Sequence, residues 1–295
     1  MTSPILIFAY NRPDSLSALL ESLLLNPEAA RSDLFIFVDA PKSESAVPAN
    51  DRVREIARSA AGFRSVTCEV AASNKGLAKS IISGVTSVIG KYGRVIVLED
   101  DLVLSRGFLR CMNAMLDAYE GDSRIMQVSG FSTRFKRPDD LGTDIYLNRR
   151  AESWSWGTWL DRWESIDWEV SDFADFASDS RLVREFNGIG SDLFRMLEGS
   201  LAGKNDSWAV KFAYAMFRQG RYTACPVRSL VRNNGFDSRA THSRGYDRYR
   251  TDFNESGVTD VPATLTYNRK ADRRANVYWT LRWRIYGKIM KLIYG

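Results

Sequence analysis

A chain of 295 residues, 44% hydrophobic and 12% aromatic, has apolar material enough for a substantial core, either one large α/β domain or one domain with an appendage. Three scattered cysteines, Cys68, Cys111 and Cys225, argue against a disulfide framework and a CxxC metal site, and no apolar run approaches the roughly 18 residues of a membrane span. The net charge of +5 admits nucleotide sugars, lipid headgroups or nucleic acid as partners without choosing among them.

Pro4 to Tyr10 is a short apolar run that predicts a strand, and Asn11-Arg12-Pro13-Asp14 supplies a turn ahead of a helix marked by Leu16, Leu19, Leu20, Leu23 and Leu24. Leu34 to Val38 repeats the strand signal and ends at Asp39. A loop from Pro41 to Asn50 and a helix from Asp51 to Ala61 follow. Val66 to Val70 predicts a third strand, Asn74-Lys75-Gly76 opens a helical stretch through Val88, and Arg94 to Leu98 predicts a fourth strand. Beyond a helix at Phe108–Tyr119 and a short strand at Ile125–Val128, a polar loop leads to a tryptophan-dense segment, Trp154-Ser155-Trp156-Gly157-Thr158-Trp159. Those indoles serve either as core packing or as a platform for the apolar face of a sugar.

Strands alternating with helices predict an α/β fold with a wound, mostly parallel sheet and helices on both faces, whose ligands gather at the carboxyl ends of the strands. Asn11, Arg12, Asp39, Asn74 and Asp101 all follow predicted strands, so one sheet edge collects them. No Gly-x-Gly-x-x-Gly or Gly-x-x-x-x-Gly-Lys-Ser/Thr pattern follows the first strand, which weakens dehydrogenase and P-loop readings. The fourth strand runs directly into Glu99-Asp100-Asp101. Clustered carboxylates repel one another and desolvation worsens the repulsion, so such a triplet needs a cation or sits open to water as a solvated strand end. Oxygen-only ligands suit a hard ion, Mg²⁺ or Mn²⁺, with positions left for phosphate oxygens.

The order of these features resembles the GT-A glycosyltransferases, in particular N-acetylglucosaminyltransferase I and its bacterial relatives. The resemblance runs from about residue 3 to 245, through Ala9-Tyr10-Asn11-Arg12, Val38-Asp39, Asn74-Lys75-Gly76, Leu98-Glu99-Asp100-Asp101, Trp154–Trp159 and Asn205-Asp206-Ser207-Trp208. It implies a GT-A (Rossmann-like) domain over 1–245, with a nucleotide-binding half to about 130 and an acceptor half beyond. Residues 246–295 then form a basic, aromatic, C-terminal helical extension. It further implies a metal at Asp101, and donor contacts from Tyr10, Arg12, Asp39, Glu99 and Asp100, with Asp39 accepting from a uracil N–H; Lys75 and Lys79 add positive charge to the same donor field, Lys79 having a place on the helix surface as its competing role. Acceptor contacts fall to Trp154, Trp156 and Trp159. Asp206, by similarity, is the general base, with an N-cap for the following helix as its competing role. His242, the chain's single histidine, cannot build a multi-histidine zinc site; by resemblance it joins the metal or diphosphate, with Gly235 letting its loop fold over the donor.

From Arg273 to Tyr294 cations and large aromatics alternate at helical spacing. Two readings stay open: a helix docked on the domain, or one lying in the headgroup layer. The expected activity is a metal-dependent inverting transfer from a nucleotide-diphosphate donor, a UDP-sugar by expectation, to a glycan or glycolipid acceptor, in the cytoplasm or at the inner face of the membrane, with no nucleic acid involved. The rivals are a catalytically silent binding or scaffold protein of the same fold and a sugar-nucleotide pyrophosphorylase.

Overall fold

The computed structural model describes residues 2–233 and 251–294. In chain order the elements are β1 (Ile5–Ala9), α1 (Pro13–Leu24), β2 (Asp33–Val38), α2 (Val47–Ser59), β3 (Ser65–Val70), α3 (Leu77–Tyr92), β4 (Arg94–Glu99), β5 (Leu102–Leu104), α4 (Phe108–Tyr119) and β6 (Ile125–Ser129). The second half adds β7 (Ile145–Asn148), β8 (Trp156–Trp159), α5 (Leu160–Glu164), α6 (Phe173–Ser178), α7 (Ser180–Asn187), α8 (Leu193–Leu201), α9 (Trp208–Arg218), β9 (Tyr222–Pro226), β10 (Val231–Asn233), α10 (Arg269–Ala275) and α11 (Leu281–Tyr294).

Among the described residues eight strands form one sheet in the order β3-β2-β1-β4-β8-β6-β9-β7. The pairs β3–β2, β2–β1, β1–β4 and β6–β9 are parallel, whereas β8 runs against both β4 and β6, and β7 against β9. The chain winds outward from β1 through β2 to β3, then returns to place β4 on the other side of β1. This reversal opens a crevice at the carboxyl ends of β1 and β4. The wound, mostly parallel sheet with helices on both faces and a C-terminal helical segment is the fold class expected from the sequence, and it is consistent with a GT-A-like arrangement.

The central strands are apolar without a break because both faces are covered. Their alternate side chains sort cleanly to the two sides. Ile5, Ile7, Leu34, Ile36, Ile96 and Leu98 pack with Leu16, Leu19 and Leu23 of α1, Val53 of α2, and Met112 and Met115 of α4. Leu6, Phe8, Phe35, Val95 and Val97 meet Ile81, Val85 and Ile89 of α3 and Trp208, Phe212 and Met216 of α9. Each fully buried side chain of this size is worth about 1.5–3 kcal/mol, so the sheet edge carrying the loops rests on a rigid base.

The tryptophan segment is the strand β8, threaded antiparallel between β4 and β6. Trp156 stacks against Trp208 at 4.9 Å and Trp163 at 5.9 Å between centroids. Beyond it, α6, α7, α8 and the back of α9 enclose a small core of their own around Phe176, Phe186, Leu193, Leu197 and Tyr214. The C-terminal segment docks through α10, whose Ala271 and Ala275 pack on Tyr146 and Cys225 of β7 and β9. Asp272, fully buried, anchors it by accepting hydrogen bonds from Arg149 N (3.0 Å), Arg149 Nε (2.9 Å), Tyr267 Oη (2.9 Å) and Asn276 Nδ2 (3.0 Å). α10 is thus docked through alanines and Asp272, not through the aromatic stripe of Arg273–Tyr294 that the docked-helix reading expects.

Candidate active cleft

A cavity of about 490 Å³ lies at the carboxyl edge of β1, β2, β3 and β4. Its wall is built from loop residues that follow the four strands, and the mutual arrangement of those loops is fixed by a few buried polar contacts. Asn50, in the buried stripe of α2 with Val53 and Ala57, donates from Nδ2 to Tyr10 O (2.6 Å) and Asp39 O (2.8 Å), pinning the ends of β1 and β2 together. Tyr10 in turn accepts at Oη from Lys42 N (2.9 Å) and donates its backbone N–H to Asp100 Oδ2 (3.2 Å).

Asp39 lines the cleft but is spoken for. Oδ1 accepts from Ala40 N and Lys75 N, each at 2.9 Å, and Oδ2 from Gly76 N at 3.0 Å and Asn74 Nδ2 at 3.1 Å. Four donors fill the roughly four lone-pair directions of a carboxylate, so the expected bond from Asp39 to a uracil N–H finds no free acceptor. Its observed work is to fold the Asn74–Gly76 turn against the end of β2. Gly76 has φ +78°, a conformation that favours glycine, and a Cβ there would stand 2.6 Å from Asp206 Oδ2.

Asp206 reaches this wall from a distant part of the sequence. Its Oδ2 accepts from Ala78 N (3.2 Å) in the first turn of α3, so it caps that helix rather than the one it precedes; α9 is capped by Ser207, whose Oγ accepts from Val210 N. Among the described residues, Oδ1 of Asp206 has no hydrogen-bond partner, and the side chain is exposed on the cleft. One oxygen fixes the carboxylate and the other keeps its acceptor capacity on a side chain that lines the cleft.

The acids after β4 form the opposite wall. Glu99 and Asp100 line the cavity, while Asp101 is not part of its lining; Asp100 and Asp101 are 7% and 8% exposed. Burial, reinforced by Asp101 and Asp100, pushes Glu99 up to about 8, and burial with Asp101 pushes Asp100 up to about 7. The counter-charge is Arg12. Pro13 bars Arg12 from helical backbone geometry, leaving it at φ −120°, ψ 74° as the N-cap of α1. From there Nη1 reaches Asp101 Oδ2 at 2.6 Å and Asp100 Oδ1 at 3.6 Å. Burial works against the Arg12 charge, but the facing carboxylates outweigh it and raise its pKa.

The same cluster bears on the metal expected at Asp101. Among the described residues no group of three or more histidine, cysteine or acidic side chains is arranged to hold an ion. Asp101 Oδ1 is nevertheless buried with no hydrogen-bond partner, a lone hard oxygen beside two further acids. It offers a divalent cation one hard oxygen ligand, while Asp101 is absent from the cleft lining and Arg12 holds its other oxygen. His242 and Gly235 lie outside the described residues.

The remaining expectations divide. Lys75 lines the cleft, whereas Lys79 sits on the exposed side of α3 away from it. Trp156 and Trp159 are 1% and 2% exposed and belong to the core, so neither presents a face to an acceptor. The core reading of the tryptophan segment is the correct one for both. Trp154 lines a second cavity, of about 180 Å³, with Arg150, Glu152, Met196 and Trp279, and Ser207 forms part of its wall next to Asp206. Sequence reasoning missed Lys42 and Asn50. Lys42 carries no periodic signal, but Asn50 announces itself as a polar residue in phase with the apolar stripe of its helix.

No protein-family model and no curated protein matches the chain, so the likeness to N-acetylglucosaminyltransferase I rests on the sequence features alone. Among solved structures it is similar to the crystal structure of S. aureus TarS, with 12% identity and a TM-score of 0.35 over 50% of this chain; the match spans a quarter of the length of that protein.

Proposed function

We propose that the chain is a metal-dependent, inverting glycosyltransferase whose cleft holds a nucleotide-diphosphate sugar, a UDP-sugar in the first instance, for transfer to a glycan or glycolipid hydroxyl. The observation that carries this reading is the convergence on one cavity of Tyr10, Arg12, the Asn74–Gly76 turn, Glu99 and Asp100 with the half-free carboxylate of Asp206. The cavity volume falls within the range of small-molecule sites. Arg12, Lys42 and Lys75 supply positive charge for a diphosphate.

In this reading Asp206 Oδ1 takes the proton of the acceptor hydroxyl as its oxygen attacks the anomeric carbon, and the bond to the diphosphate oxygen breaks on the opposite face. The Ala78 N–H bond keeps the base from turning away. Asp101, with Asp100 beside it, would hold the metal, which when bound offsets the charge gathering on the departing diphosphate. Arg12, which pairs with both acids and lines the cleft, would lend its charge to the diphosphate. The second cavity, whose wall includes Ser207 next to Asp206 in the chain and Trp154, is the candidate seat for the acceptor in this reading.

The test is nucleoside-diphosphate release from a panel of nucleotide sugars, with and without Mn²⁺. At least one donor is expected to turn over with metal, and Asp206→Asn to slow turnover by about 10²–10⁴-fold while keeping the thermal shift induced by the donor. Donor-induced stabilisation without release in the wild type would place the chain with silent binding proteins. The absence of both would overturn the reading.

A further inference from the structure

The last helix presents its apolar side outward. Leu281, Ile285 and Ile289 recur every four residues along α11 and are 61%, 50% and 49% exposed, with Tyr286 beside them. Arg282 and Lys288, both exposed, flank this stripe. The less exposed side is mixed: Arg284 pairs with Asp192 at 3.1 Å and reaches Ser191 Oγ at 3.5 Å, and Trp283 packs on Tyr278. A helix folded only for its own domain turns the other way, apolar side in.

The surface beside it is cationic. Arg269, Lys270, Arg273 and Arg274 of α10 border one shallow cavity, Lys270 being paired with Asp140 (2.9 Å) and Arg274 donating to Lys136 O (2.9 Å). Residues 269 to 288 contain seven cations and a single acid, Asp272, which is buried and committed to Arg149; of the seven, Lys270 and Arg284 pair with acids outside the stretch. With a net charge of +5 for the whole chain, the remainder is close to neutral, so the basic character of the protein is concentrated here.

We propose that α10 and α11 seat the chain on the surface of an anionic lipid bilayer, with Leu281, Ile285 and Ile289 in the headgroup–acyl boundary and the surrounding Arg and Lys side chains on lipid phosphates. The helix lies flat: among the described residues no helix is long and apolar enough to cross a membrane. Tyr286 sits at the depth that tyrosine favours. Three aliphatic side chains fall far short of the roughly 1,200 Å² that a stable protein interface buries, and the flanking cations repel a second copy. Nucleic acid would meet the charge but not the stripe. The inference stands apart from the sugar-transfer reading, since it concerns neither the cleft nor its residues.

Co-sedimentation of the full chain with vesicles tests it. Partitioning is expected to be at least about tenfold stronger on phosphatidylcholine–phosphatidylglycerol vesicles than on phosphatidylcholine alone, and to fall as salt is raised. Replacing Leu281, Ile285 and Ile289 together by Glu is expected to reduce it at least about tenfold. The salt titration needs no variant, so a misfolded triple mutant would not rescue the idea. Equal partitioning on neutral and anionic vesicles, no partitioning, or a self-associated species that the triple substitution disperses would each overturn it.

Discussion

Glu152 shows at the scale of one residue how burial sets chemistry. It is buried in the wall of the second cavity, its Oε1 held by Asn148 Nδ2 at 3.4 Å, and desolvation pushes its carboxyl up to about 8 despite the opposing field of Arg150. Because the folded form keeps a proton that the unfolded chain loses near pH 4.3, this residue makes folding progressively less favourable as pH rises from about 4 to 8. Glu152→Gln removes that penalty. The variant is expected to match the wild type near pH 4 and to exceed it by on the order of 1–3 kcal/mol at pH 8.5 in denaturant melts. A stability difference that does not change with pH would contradict the assignment. Nothing in the sequence distinguishes Glu152 from an exposed acid, since its burial comes from strands and a C-terminal segment that local pattern does not bring together. Asp39 teaches a related lesson. Its place after β2 was legible, but the four donors that occupy it come from two loops, and only their three-dimensional closure shows that it shapes the cleft.

Among the elements, β1 to β4, β6 and the helices between them were readable because each follows a local rule, whereas β5, three residues paired with the distant β10, gave no signal. Doubly buried strands give unbroken apolar runs, and α1 and α4 carry apolar residues at helical spacing. The second half was not. β8 is a strand of two tryptophans, a glycine and a threonine whose antiparallel insertion between β4 and β6 is decided by long-range pairing. α6, α7 and α8 are short helices that cohere only around a shared aromatic core. The C-terminal segment depends in the same way on a distant contact, the Asp272 anchor. Asp272→Ala strands Arg149 beside a cavity and removes four hydrogen bonds, a loss expected to cost about 3–5 kcal/mol. Hydrogen exchange should then show α10 opening ahead of the sheet. Protection of α10 equal to that of the wild type would show that apolar packing alone holds it.

Over the whole molecule the parts divide the work. The sheet and its two covered faces give a rigid floor, four strand ends deliver the cleft, and the loop before α9 brings the Asp206 carboxylate to it from the second half of the chain. The charge is segregated: an acid cluster balanced by Arg12 lies inside, and an excess of cations lies on the C-terminal helices. The sugar-transfer reading depends on whether the cleft accepts a nucleoside diphosphate. Calorimetric titration of the wild-type chain with UDP, other nucleoside diphosphates, UMP and inorganic phosphate, each with and without Mn²⁺, asks that directly. The account predicts saturable one-to-one binding of at least one nucleoside diphosphate, strengthened by Mn²⁺ and weaker for UMP and phosphate. No saturable heat with any nucleoside diphosphate, in either condition, would contradict it.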